Sequence, residues 1–386
     1  MQPRSLALLF FAVFTALVSE ERAIAQITPD ATLGSEASVV SPDADVRGGS
    51  ADLIQGGAVR GVNLFHSFAD FNVAELQRVY FANPTGIENI LGRVTGSSVS
   101  NILGTLGVDG SANLFLLNPN GIVFGPNAQL DITGSFLAST ADAFDFNGQL
   151  FSATDPTVPT LLTVSLTPGL QYSAAQRGEI RTQAVLAAGQ DLRLDGVNLD
   201  LSGELTAGRD LVLQAQERAQ IRDSAASPFI AAAGGELEIQ GNEQVDIFAL
   251  AHPGSGLFAG SDLILRSGSP VIGDGYFWSG DSFRVEQLDG SANSLLSPND
   301  PVITAGGNVA FDSYTGGSLR VVAGGSVDVG NITVNGTDPG FPTETVSLSQ
   351  TLPDGTNSIL VNGNTRPVVD IRAGTLAASC STLKLS

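Results

Sequence analysis

Residues 113–132 read NLFLLNPNGIVFGPNAQLDI. An apolar run, Leu114 to Leu117, meets a turn at Asn118-Pro119-Asn120-Gly121, and a second run, Ile122 to Phe124, follows at once. A further turn, Gly125-Pro126-Asn127, leads to a third run from Leu130 to Ile132. The first turn has a mechanism. Asn118 can bond its own backbone two residues on, Pro119 presets φ for the next position, and Asn120 and Gly121 tolerate the conformations that close the turn. Short β-branched or aromatic runs bounded by turn residues predict strands, with no helix.

Downstream the same habit becomes a repeat. Units begin AGQDLRL at Ala188, AGRDLVL at Ala207, AGGELEI at Ala233 and AGSDLIL at Ala259. Later units are SGDSFRV at Ser279, AGGNVAF at Ala305, TGGSLRV at Thr315 and AGGSVDV at Ala323. The first six glycines are spaced by 19, 26, 26, 20 and 26 residues. A unit of fixed order at such periods marks a solenoid whose coils bury their apolar faces only by stacking. The alternation in Leu211, Leu213 and Leu237, Ile239 gives each strand one inward face. Each leading glycine is expected to turn a corner with positive φ. Gly density and the missing 3.6 period exclude an α-solenoid, and a leucine-rich consensus is absent. Propeller blades need about 40 to 45 residues, roughly twice the interval here. The expected fold is therefore all-β: a right-handed parallel β-helix (β-solenoid) with an N-terminal cap. At 20 to 25 residues per coil, about 15 coils give a rod on the order of 70 Å.

The chain has 386 residues, a formal net charge of −21, a single Lys (Lys384) and a single Cys (Cys380). That charge excludes nucleic acid as a partner, since such affinity rests on cations neutralising phosphates. It reads as solubility; calcium stays a minor reading, because the glycine-aspartate nonapeptide is absent. Arg4, an apolar run from Leu6 to Val18 and Ala23-Ile24-Ala25 make residues 1–25 a secretory signal peptide, too short to span a bilayer. No internal disulfide is available. The prolines at 156, 159 and 168 set a soft boundary near residue 155, between modules 26–155 and 156–386. From Thr375 no capping element is legible, so the chain reads either as truncated or as a last coil closed by residues 336 to 366.

Module 26–155 resembles the filamentous-haemagglutinin N-terminal domain, the secretion domain of two-partner secretion exoproteins, in the branch common in cyanobacteria. The likeness is carried by GVNLFHSFADFNV at Gly61, NPTGIENILGRVTG at Asn83 and NLFLLNPNGIVFGPNAQLDITGSF at Asn113. It implies export through the inner membrane by the general secretory route. The secretion domain is then read by an outer-membrane two-partner secretion transporter with periplasmic docking domains, and the passenger folds outside as a β-helix. The family's two secretion motifs fall on Asn83-Pro84 and Asn118-Pro119-Asn120-Gly121. Turn chemistry favours a structural role for them over direct contact with the transporter. The first motif continues Thr85-Gly86, where some members have Asn and Leu, and this leaves the transporter's identity open.

No catalytic residue, cofactor or metal site is expected. Asp142 with Asp145, and Asp43 with Asp45, sit in polar stretches and read as solvated faces. His66 lies in an aromatic cluster and reads as a core residue; His252-Pro253-Gly254 reads as a turn. A β-helical polysaccharide-active enzyme is the alternative. The favoured reading is a secreted or cell-surface rod, adhesive or structural, with a cell-surface glycan or protein as ligand. Tyr276-Phe277-Trp278 either form a contact site or alternate into and out of the core.

Overall fold

The computed structural model describes residues 27–157, 169–174, 177–340, 343–347, 350–351 and 353–375. The expected signal peptide, Pro159, Pro168, Cys380 and Lys384 lie outside the described residues. The protein is a right-handed parallel β-helix with three faces. One full coil runs Leu192–Gly196 on the first face, Asn198–Leu201 on the second and Glu204–Ala207 on the third, before Leu211–Ala215 restarts the first. Strand Val271–Ser279 passes round a corner and serves both the second and third faces.

In-register stacking makes the core. On the first face Leu64, Ile90, Leu114, Phe136, Leu192, Leu211, Leu237, Leu263, Phe283, Val309 and Val327 lie one above another. Each fully buried side chain of this size contributes about 1.5 to 3 kcal/mol. A register slip would turn every one of them outward, so the alternation fixes the coil.

Among the described residues the first face carries eleven parallel strands, from Asn63–Phe71 to Val327–Val329, against the expected fifteen or so coils. Three departures from the helix take up the missing residues. The first is the cap: hairpin Ser38–Val46 and Gly49–Gly56, with Ile27–Pro29 and Ala58–Arg60 antiparallel to Asn63–Phe71. The second is an antiparallel sheet of Ala143–Phe146, Gln149–Ser152 and Gly169–Gln171 on the outside of the rod. The third is the hairpin Glu344–Ser347 and Ser358–Val361, after which Val369–Arg372 rejoins the third face beside Leu319–Ala323.

The outer sheet explains why the opening stretch reads as an unbroken apolar run. Leu114 and Leu116 point into the helix, while Phe115 and Leu117 point outward into a second core with Phe65, Leu91, Phe144, Phe146 and Phe151. Phe144 and Phe146 therefore cover a side of the rod. Beyond residue 190 no such sheet covers the face among the described residues, and the strands alternate cleanly.

Two expectations about the repeat need correction. Gly189, Gly208, Gly234, Gly260, Gly280, Gly306 and Gly324 are not among the residues with positive φ. They form a column in which a Cβ on each later member would stand 2.0–2.2 Å from the main-chain oxygen of the glycine one coil below. Glycine is required there because backbone meets backbone. The Thr315 unit belongs to a different corner: Leu319–Ala323 is a third-face strand, whereas the strands that follow the Ala-Gly pairs lie on the first face. Similar turn chemistry at two corners disguised the change of phase.

Candidate functional site

The two Asn-Pro motifs occupy opposite ends of the first face. Asn83 sits where the third-face strand Arg78–Ala82 turns toward Asn89–Val94. Its side-chain nitrogen donates to the Ile87 carbonyl at 3.0 Å, and Ile87 N–H donates to the Pro84 carbonyl at 3.1 Å. Its side-chain oxygen accepts the N–H groups of Ser111 and Ala112, one coil on, at 3.0 and 3.1 Å. Gly110 permits this approach, since a Cβ there would lie 2.2 Å from Asn83 Oδ1. Pro84, Thr85 and Gly86 are exposed at the tip.

Asn118 sits where Asn113–Leu117 turns toward Ile122–Phe124, and it is fully buried. Its Nδ2 donates to the Ser98 carbonyl at 3.0 Å and to Ser100 Oγ at 2.9 Å, both one coil back. Its Oδ1 accepts the Asn120 N–H at 3.0 Å, which is the turn bond the sequence predicts. Gly121 N–H closes the turn on the Asn118 carbonyl at 3.1 Å. Gly121 has φ +122°, and a Cβ there would lie 3.0 Å from the Glu179 carbonyl. Pro119 is buried; Asn120 is exposed and donates to the Gly96 carbonyl at 2.8 Å. Asn83 thus ties its coil forward and Asn118 ties its coil backward.

A family sequence model described as the TPS secretion domain matches residues 25–276. The chain belongs to the TPS secretion domain family. This secretion domain is that of a two-partner system, whose exoprotein leaves the cell across the outer membrane with the help of a partner transporter. The match continues past residue 155, and the parallel ladder is continuous there, from Leu114 through Phe136 to Leu192. Among solved structures, the HMW1 secretion domain from Haemophilus influenzae is similar at 15% identity, with TM-score 0.52, covering 81% of this chain and 85% of that one. The filamentous hemagglutinin secretion domain matches at 18% identity, with TM-score 0.43, covering 80% and 96%. A comparison with curated proteins found no match.

Two features of the TPS domain escaped the sequence reading. The first is a side-chain ladder at the start of the first face: Asn113 donates to Asn89 and Asn89 to Asn63, each at 2.9 Å, and Ser135 N–H reaches Asn113 at 2.8 Å. The repeated Asn before an apolar pair at positions 63, 89 and 113 is the signal that could have shown it. The second is Arg93, fully buried. It donates to Ser67 Oγ at 2.9 Å, Ser152 O at 2.9 Å, Thr32 Oγ1 at 2.8 Å and Thr157 O at 3.1 Å. The guanidinium also lies 4.2 Å from the centre of the Phe151 ring. Burial pulls its pKa down to about 10, opposed by the charge of Asp30. Burial acts to raise the Asp30 carboxyl, but hydrogen bonds from Thr32, Thr95 and Ser67 outweigh it and hold that pKa below its usual value. Arg93 joins cap, first face and outer sheet in one clamp.

The enzyme candidates separate. His252 Nδ1 accepts the Gly254 N–H at 3.0 Å, and the Ser255 hydroxyl donates to Asp223, so no Ser-His pair forms there. His66 is buried, hydrogen-bonded to Ser38 Oγ at 3.0 Å and packed against Phe68 and Phe81. Asp142 is buried and accepts the Ser173 N–H, contrary to the expected solvated face; Asp43 and Asp45 are exposed. Phe277 packs on Phe283 in the core while Tyr276 and Trp278 are half-buried outside, so the three aromatics alternate. A groove of about 370 Å³ with mixed polar and apolar lining flanks the asparagine ladder, with Phe115, Asp191, Arg193 and Arg209 among the residues that form it.

Proposed function

We propose that the chain is cleaved after Ala25, crosses the inner membrane unfolded, and is recognised through its N-terminal module by the periplasmic docking domains of its outer-membrane transporter. The β-helical rod then acts outside the cell as an adhesive or surface-structural element. The observation that carries this reading is the division of labour at the two corners. Asn83 and Asn118 are committed to holding adjacent coils together, while Pro84, Thr85, Gly86 and Asn120 face solvent. The asparagines keep the fold, and the exposed tips are what a docking domain can touch. The groove beside the asparagine ladder is the surface offered to a glycan or protein ligand, with Arg193 and Arg209 for polar groups and Phe115 for an apolar edge.

Co-expression with the cognate transporter tests the reading. Doubling the tip substitutions Pro84→Ala and Thr85→Ala should leave melting unchanged and reduce secretion. Unchanged secretion would remove the first tip from the recognition surface. N-terminal sequencing of the exported protein should begin at Gln26; a retained Met1 would overturn the signal-peptide reading.

A further inference from the structure

Asp300, just before the third-face strand Pro301–Ala305, and Asp338, in the loop after Ile332–Val334, are 2% and 1% exposed. Their carboxyl groups lie against one another. Apart from the Asp338 carboxyl, no side-chain or backbone donor among the described residues reaches either oxygen of Asp300. Asp274, 3% exposed, adds a third negative charge nearby, but its oxygens are already taken by Ser297 Oγ and by Asn299 N and Nδ2. Among the described residues no Arg or Lys forms an ion pair with Asp274 or Asp300. The other titratable neighbours are Tyr276 and Tyr314, whose hydroxyls are pushed up by burial and then by these carboxylates.

Gly340 borders both carboxyl groups, and its N–H donates to Asp338 Oδ1 at 2.7 Å. A Cβ on Gly340 would stand 2.9 Å from Asp300 Oδ2 and 3.4 Å from Asp338 Oδ1. A further acceptor without a donor, Asn362 Oδ1, is buried in the residue next to Gly363, whose carbonyl accepts the Asp338 N–H at 3.0 Å. Two buried carboxylates in contact cannot both stay ionised without a proton or a cation between them. Burial, the Asp338 hydrogen bond and the charges of Asp338 and Asp274 push Asp300 well above the usual carboxylate range.

We propose that Asp300 and Asp338 bind a hard divalent cation of the calcium class in the space beside Gly340, fastening the Asp338 loop to the third face. An all-oxygen donor set suits calcium and disfavours zinc or copper. No group of three His, Cys, Asp or Glu side chains converges among the described residues, so water and main-chain oxygens complete the shell. Two protein charges place the affinity on the order of 10⁻⁴ M, in the range of extracellular modules.

The test uses the mature chain at neutral pH. Terbium should bind and luminesce when the neighbouring tyrosines are excited, and calcium should displace it. Millimolar calcium should raise the melting temperature by a few degrees over chelator. Asp300→Asn and Gly340→Ala should each abolish both effects, the second without removing a charge. A calcium response that survives intact in both variants would overturn the proposal. So would a calcium-independent wild type whose stability falls as pH rises from about 4, the ordinary carboxylate value, through the raised pKa. That result would mean the pair only shares a proton.

Discussion

Asn118 donates its side-chain N–H to the hydroxyl of Ser100, one coil back, at 2.9 Å, and the pair is buried. The bond joins two turns of the helix at the corner where each leaves the first face. Together with the bond to Ser98 it uses both amide hydrogens of Asn118. The Asn118 oxygen is used within its own turn.

Asn118→Ala should therefore destabilise the domain by about 2 to 3 kcal/mol, because buried acceptors lose donors and the turn loses its clamp. Asn120→Ala, at an exposed position, should stay within about 1 kcal/mol. Urea titration of both variants checks this. An Asn118→Ala protein that melts like wild type yet is not exported would transfer the motif to the recognition surface.

Gly234→Ala places a Cβ 2.2 Å from the Gly208 carbonyl oxygen, whereas Gly336 has nothing within 4 Å. The first substitution should cost about 3 kcal/mol or more, since neither backbone can move without shifting its neighbours in the stack. The second should be neutral or slightly stabilising. Thermal melts of the pair compare the two directly.

Removing Arg93 tests the clamp. Arg93→Met leaves the Ser152 and Thr157 carbonyls without their donor and should cost about 3 kcal/mol. Hydrogen exchange should then quicken first in Ala143–Ser152, ahead of the coils beyond Leu211. Uniform quickening along the whole rod would show that Arg93 does not govern the outer sheet separately.

His66 gives a pH dependence with a definite sign. Burial lowers its pKa from 6.5 to about 3. The unfolded chain then binds the proton more readily, so the stability from keeping His66 neutral is full above pH 6.5 and is lost as pH falls toward 3. Its slope is about 1.4 kcal/mol per pH unit within that window. Replacing His66 with Gln should remove this contribution to the slope, measured as unfolding free energy against pH.

The apolar alternation from Leu192 onward and the glycine at each corner were legible in the sequence because both arise within a single coil. Asn118 was legible too, since its turn bond spans only two residues. Its bonds to Ser98 and Ser100 were not, because they depend on which coil lies beneath. Arg93 was invisible for the same reason: its partners Thr32, Ser67, Ser152 and Thr157 come from three separated segments.

By itself the sequence determined a stacked β-helix, the inward alternation of its later strands and the glycine-led corners, since strand period and turn chemistry act over a few neighbours. Only the tertiary structure decided why the column glycines must be glycine. A Cβ at Gly260 meets the carbonyl of Gly234, and that contact exists only once two coils are stacked. It also decided that Phe115 and Leu117 are buried on the outer side, because the sheet that covers them is made later in the chain. Contacts between coils depend on the number of residues each coil spends before returning, and here Ala143–Ser152 and Gly169–Gln171 leave the helix before Glu179 resumes it.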